Sequence, residues 1–132
     1  MKKLLLIALL IAGCLYGKGS NKILSRENRL TSIGLAQLLY RMNYHRYSQY
    51  YFSSLSLYGI RGTLQDKNYN ANLYGKFLGK TGTLDNVRTL SGILNKNKKL
   101  LYISILANSI ENDDPLIFHI LDAISRTNCG TK

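Results

Sequence analysis

Beyond residue 30 the apolar positions change period several times. Leu35, Leu38, Leu39 and Met42 recur at i, i+3, i+4 and i+7, the stripe of a helix with one face in a core, and the Thr31 hydroxyl stands where an N-cap is needed. A helix is predicted over 32–43. Residues 45–56 hold Tyr47, Tyr50, Tyr51, Phe52 and Leu55 and read as a second, shorter helix whose aromatic stripe packs inward. Residues 58–75 have no period. Gly59, Gly62 and Gly75 bracket a polar run from Gln65 to Asn72, which predicts a long surface loop of the kind that borders sites.

The pattern then turns strand-like. Lys76 to Leu84 forms a run interrupted by Gly79 and Gly82, Asp85-Asn86 is a two-residue turn signal, and Val87 to Leu94 is a second run. Asn95 to Lys99 is a polar hairpin loop, and Leu100 to Asn108 is nearly all apolar, as for a strand covered on both faces. Asp114 then caps a terminal helix with Pro115 in its first position. Ile117, Ile120, Leu121 and Ile124 share its inner face with Phe118 beside them, and His119 falls on the surface. The fold class is α+β: helix, helix, long loop, an antiparallel meander of about three strands, terminal helix.

The N-terminus follows another logic. Lys2 and Lys3 precede nine apolar residues, Leu4 to Ala12, and then Gly13 and Cys14. A positive head, a short apolar stretch and a small-residue exit make an export signal over 1–13; spanning a bilayer takes about 20 apolar residues. The alternative is a buried N-terminal strand or helix. Ile11-Ala12-Gly13-Cys14 is similar to a bacterial lipobox, which marks Cys14 as a candidate for lipidation and the envelope, periplasmic or membrane-anchored, as the location.

Composition narrows the classes. The 132 residues suffice for one domain and carry 18 Lys plus Arg against 7 Asp plus Glu, a net charge of +11. Loss of Lys2 and Lys3 with the leader leaves 16 basic against 7 acidic residues, or +9. Such a chain outside the cytoplasm meets anionic lipid and wall polymer. The basic residues are scattered and match no nucleic-acid motif, so nucleic acid is not an expected partner. Two Cys and two distant His, His45 and His119, exclude a disulfide-dense scaffold and make a metal site unexpected. No cofactor is implied.

Two motifs compete for one segment. Gly79-Lys80-Thr81 evokes a phosphate loop, but that motif needs Gly at position 74, which is Tyr74, and a helix after the Lys-Thr, where a turn and strand follow. Lys80-Thr81-Gly82 instead matches the third motif of serine penicillin-binding enzymes. Its surroundings strengthen it. Leu57-Tyr-Gly-Ile-Arg-Gly-Thr-Leu64, then Gly79-Lys-Thr-Gly-Thr-Leu84, then Leu90-Ser-Gly-Ile-Leu94 resembles the larger D-alanyl-D-alanine carboxypeptidase/endopeptidase family of low-molecular-mass penicillin-binding proteins. Gly19-Ser20 and Leu24-Ser-Arg-Glu-Asn-Arg29 resemble the family's Asp-Gly-Ser-Gly-Leu-Ser-Arg segment, with two extra residues and Lys18 in place of Asp. Leu101 to Asn108 is similar to its closing strand.

The resemblance implies that 18–128 is the C-terminal portion of a β-lactamase/transpeptidase-like domain. It implies a serine-type carboxypeptidase acting on peptidoglycan stem peptides through an acyl-enzyme, with β-lactams as inhibitors. Lys80 would line the cleft and attract the substrate's terminal carboxylate, the Thr81 hydroxyl would donate to that carboxylate, Gly82 would let the substrate backbone approach, and the Thr83 backbone N–H would serve the oxyanion hole. No Ser is followed by Lys three residues on or by Asn two residues on, so the nucleophile, its base and the second motif are missing from the sequence. A truncated gene, a split protein with its N-terminal half elsewhere, and an independent non-catalytic binder all follow, with truncation the first expectation. The rival reading is a small basic envelope lipoprotein that binds wall or membrane without catalysis. An incomplete sheet also predicts an unpaired strand edge.

Overall fold

A computed structural model describes residues 30–67, 70–108 and 114–127. The expected leader at 1–13, Cys14, the Gly19–Arg29 segment and Cys129 lie outside the described residues. Helix α1 (Ser32–Asn43) starts where the capping hydroxyl requires: Thr31 is extended, and its Oγ1 accepts a hydrogen bond from the Gly34 N–H at 3.1 Å. Leu35, Leu38, Leu39 and Met42 are buried, the stripe set by their spacing. Helix α2 (Ser48–Ser53) is shorter than the aromatic run suggested. Six residues present one narrow face to the core, so Tyr51 is buried while Tyr47 and Tyr50 are 44% and 76% exposed. The expectation that the whole stripe is core is corrected there; the Arg46 guanidinium covers the Tyr47 ring at 4.6 Å.

Among the described residues the sheet has four antiparallel strands where about three were expected: β1 (Ser56–Leu57), β2 (Phe77–Leu84), β3 (Val87–Lys96) and β4 (Lys99–Asn108), in that spatial order. β1 pairs Ser56 with Gly79 and Leu57 with Leu78; two residues leave no periodic trace in a sequence. Asp85-Asn86 joins β2 to β3, with Leu84 opposite Val87. The next hairpin is tighter than the five-residue loop expected. Asn97 and Lys98, at φ of 51° and 63°, form a two-residue turn that lets β3 and β4 pair as far as Lys96 and Lys99.

The 58–75 connection is not a surface loop throughout. It contains two short 3-10 turns, Gly62–Leu64 and Ala71–Leu73, and Tyr58, Leu64 and Leu73 are fully buried. Three apolar side chains, too far apart to show a period, pin it to the core. The Tyr58 N–H donates to the Phe77 carbonyl, and the Gly75 N–H donates to the Tyr58 carbonyl.

Helix α3 (Asp114–Arg126) covers one face of the sheet through Ile117, Phe118 and Leu121, packed with Tyr58, Leu64, Leu73, Phe77, Leu90, Leu94 and Ile103. Phe118 is thus core, and Ile120 is turned outward, the reverse of the sequence assignment. Helices α1 and α2 cover the other face with Leu38, Leu39, Met42, Tyr51 and Leu55 against Leu78 and Tyr102. Full burial of each such side chain contributes about 1.5–3 kcal/mol. Lys96 ties the sheet to α3 by donating from Nζ to the Ile124 and Thr127 carbonyls at the helix C-terminus.

Strand alternation carries the next detail. Gly79 lies opposite Gly92, and the Phe77 ring lies over the pair: a Cβ on Gly79 would meet Phe77 Cε1 at 2.5 Å, and one on Gly92 would meet Phe77 Cζ at 2.6 Å and the Leu78 carbonyl oxygen at 2.2 Å. On the other face Gly82 lies opposite Thr89, whose Oγ1 would be 2.4 Å from a Gly82 Cβ.

Two outcomes are expected. Gly82→Ala destabilises the chain by about 1–3 kcal/mol by forcing Thr89 off its rotamer, and Thr89→Ala in the same chain restores most of the loss; a double-mutant cycle in denaturant measures the coupling. The Tyr51 hydroxyl has no partner among the described residues, and burial pushes its pKa up from 10.0 to about 12. Its contribution is intact below pH 10 and declines from there to about pH 12, because the unfolded chain releases the phenol proton first. Tyr51→Phe raises stability at neutral pH by about 1 kcal/mol, and its advantage over wild type widens between those two pH values by on the order of 2 kcal/mol, as read by urea unfolding across the pH series.

Candidate active site

Lys80, Thr81, Gly82 and Thr83 occupy the middle and end of β2, one strand inward from the two-residue β1. Hydrogen bonding alternates along an antiparallel strand, so the direction of each N–H follows from the register. The Asn95 N–H donates to the Lys76 carbonyl, and the Tyr58 N–H donates to the Phe77 carbonyl. The first bond places Leu78, Lys80, Gly82 and Leu84 in the set bonded to β3. The second places Phe77, Gly79, Thr81 and Thr83 in the set that faces β1. β1 reaches only Gly79. The main-chain groups of Thr81 and Thr83 therefore point to an edge that no strand covers among the described residues.

The side chains complete the arrangement. Lys80 is half-buried on the face covered by α1 and α2, and its Nζ donates to the Thr81 carbonyl at 2.6 Å. Among the described residues it meets no carboxylate, and its hydrogen-bond partner is this neutral carbonyl. Thr81 projects to the opposite face, where its Oγ1 is 3.1 Å from Thr63 Oγ1. Thr63 Oγ1 is 3.2 Å from Ser56 Oγ, and Ser56 Oγ accepts from the Thr63 N–H at 3.1 Å. A hydroxyl relay thus runs Ser56, Thr63, Thr81.

Gly62 makes the relay possible. It holds a left-handed φ of 71°, and a Cβ there would lie 2.4 Å from Ser56 Oγ. Sequence reasoning missed Ser56 and Thr63, although Arg61-Gly62-Thr63-Leu64 belonged to the family-like pattern. The adjacent Gly and Thr were the available signal, and the left-handed turn is its physical content.

At Gly82 the structure shows a packing constraint: the space of its absent Cβ is filled by Thr89 Oγ1, which approaches the Gly82 carbonyl at 3.5 Å. Two concavities lie elsewhere. One of about 390 Å³ is bordered by Lys76, Asn95, Lys96 and Arg126, and one of about 410 Å³ runs between α1 and β4. Neither includes Lys80–Thr83, so within the described residues these groups form one wall, an open strand edge. No three His, Cys, Asp or Glu side chains gather among the described residues, and no described helix is long and apolar enough to cross a membrane.

Known proteins supply the context for this wall. No curated protein matches the sequence. The fold resembles penicillin binding protein 4 from Haemophilus influenzae, with a TM-score of 0.68 and 15% identity over 86% of this chain and 28% of that one. It also resembles a predatory endopeptidase from Bdellovibrio bacteriovorus, solved in complex with an immunity protein, with a TM-score of 0.61 and 24% identity over 83% of this chain and 29% of that one. A second Bdellovibrio bacteriovorus predatory endopeptidase, acylated by penicillin G, matches with a TM-score of 0.55 and 16% identity over 89% of this chain and 35% of that one. The chain spans about a third of the length of the structures it matches. The family model for the D-Ala-D-Ala carboxypeptidase 3 (S13) family matches residues 17–126, nearly the whole chain, and the protein belongs to that family.

Proposed function

We propose that this chain supplies the Lys-Thr-Gly wall of a serine-type D-alanyl-D-alanine carboxypeptidase site that acts on peptidoglycan stem peptides in the bacterial envelope. The observation that carries the reading is the common edge: the Lys80 ammonium, the Thr81 hydroxyl and the Thr83 N–H direction converge on one unpaired stretch of β2. A peptide C-terminus laid along that edge brings its carboxylate to Lys80 and Thr81. At about 4 Å such a charge pair is worth roughly 4 kcal/mol at an effective dielectric near 20. The Thr83 N–H suits the developing oxyanion of acyl transfer, and a donor of that kind contributes about 3 kcal/mol in the transition state.

Thr63 acts through Thr81. If Ser56 donates to Thr63 and Thr63 donates to Thr81, the Thr81 proton is left to point at the carboxylate. The reactive serine, its lysine base and the Ser-x-Asn motif are assigned to sequence other than these residues, because no serine here has the required spacing. β-Lactams, which mimic the acylating peptide, follow as inhibitors of the completed site. The leader and a lipid on Cys14 are the proposed route to the membrane surface.

The experiment is an NMR titration of the chain with a peptide ending in D-Ala-D-Ala, beside treatment with fluorescent penicillin. Amide shifts concentrated at residues 80–83, weakened at least about tenfold by Lys80→Met and severalfold by Thr63→Val, support the proposal, as does the absence of a covalent penicillin adduct. Shifts confined to other surfaces, or binding indifferent to Lys80→Met, contradict it and favour the basic lipoprotein without catalysis. Covalent labelling of the chain alone contradicts the assignment of the nucleophile.

A further inference from the structure

The hairpin that follows Lys80–Thr83 carries a buried cation that the proposed function does not use. Arg88 lies directly opposite Thr83 in the β2–β3 register and is 9% exposed. Its Nη1 donates to the Leu84 carbonyl at 2.7 Å and to the Val87 carbonyl at 3.0 Å. Leu84 and Val87 face each other as the last rung before the Asp85-Asn86 turn, where Asn86 takes a left-handed φ of 58°. Each of those carbonyls has two lone pairs. The ladder uses one, and the other accepts from the guanidinium. Burying a guanidinium is unfavourable unless its donors are met, so the cation and the two carbonyls hold one another in place.

Thr83 stands between two rungs. Gly82 with Thr89 closes one side, and Leu84 with Val87 closes the other. The Thr83 N–H makes no bond to β3, so its direction is set by the peptides on either side and depends on both rungs staying closed. The inner rung continues into the ladder. The outer one ends at a turn, where fraying begins. Charge-assisted hydrogen bonds are about twice as strong as neutral ones, and Arg88 places two of them on this outer rung. We infer that Arg88 is a positioning residue: it holds the outer rung closed and thereby fixes the aim of the Thr83 N–H. Its value for acyl transfer rests on the proposed function, in which that N–H meets the oxyanion; its hold on the rung does not. Lys80 and Thr81 attract the terminal carboxylate without it, so Arg88 serves one task of the strand and leaves the other untouched.

Amide hydrogen exchange and NMR on the full chain test this with Arg88→Met, which keeps an unbranched stem and removes the donors. The Leu84 and Val87 amides are expected to exchange about thirtyfold faster than in wild type, while Gly82 and Ser91 keep their wild-type rates. In a titration with a peptide ending in D-Ala-D-Ala, the shift of the Thr83 amide falls severalfold and the shifts of Lys80 and Thr81 persist. Arg88→Lys keeps the charge and a donor and restores most of the protection at Leu84 and Val87. Should Arg88→Met not fold, the wild type decides: its Arg88 Nη1 protons are expected to be resolved and slow to exchange. Unchanged exchange at Leu84 and Val87, uniform acceleration along β2 and β3, a Thr83 shift lost in step with those of Lys80 and Thr81, no recovery in Arg88→Lys, or freely averaged Arg88 Nη1 protons in the wild type each overturn the inference. A wild-type chain without peptide shifts at 80–83 contradicts the proposed function instead, and the exchange comparison still decides the role of Arg88.

Discussion

The structure depends on how soon β1 ends. Ser56 and Leu57 pair with β2, and the chain then leaves the sheet: Tyr58 enters the core, and the Leu57 N–H bonds to the Arg61 carbonyl across a tight turn. Burial of one tyrosine outweighs two or three further ladder bonds, whose net worth is about 1 kcal/mol each. The outcome, among the described residues, is a β2 edge open from Lys80 onward, with its N–H directions already fixed by the β3 pairing on the other side. Rigidity comes from one neighbour and access from the early end of the other. The Phe77 ring fills the space over the Gly79–Gly92 pair, where two residues without side chains would otherwise leave the strand under-packed.

The parts of the fold that were legible in the sequence are those with a long period. The stripe Leu35, Leu38, Leu39, Met42 and the capping Thr31 gave α1, and the run from Leu100 to Asn108 gave β4. Short or dispersed features were hidden. β1 has two residues, and Tyr58, Leu64 and Leu73 anchor the long connection without a repeat. The choice of Asn97-Lys98 as the turn within five polar residues rests on left-handed angles at both positions, one of them a lysine, which sequence rules do not favour. At the site, the Lys80–Thr83 motif was visible as residue types. The Ser56–Thr63–Thr81 relay joins hydroxyls in steps of 7 and 18 positions, and only the fold brings them together.

The β2 edge and the β4 strand differ in chemistry. Among the described residues the β2 edge carries a cation, hydroxyls and outward amides, the features on which the proposed function rests. The β4 strand is uncharged from Leu100 to Asn108. Among the described residues four strands form the sheet, and the chain covers 28% and 35% of two of the structures it resembles.

The central claim is that the Thr83 N–H is presented to an open edge while its neighbour Gly82 is locked to β3. Amide hydrogen exchange on the native chain separates the two directly. The account predicts that Gly82 exchanges slowly, close to the rate set by global unfolding, and that Thr83 exchanges orders of magnitude faster. Equal, strong protection at Thr83 would mean that something covers that edge and would contradict the account.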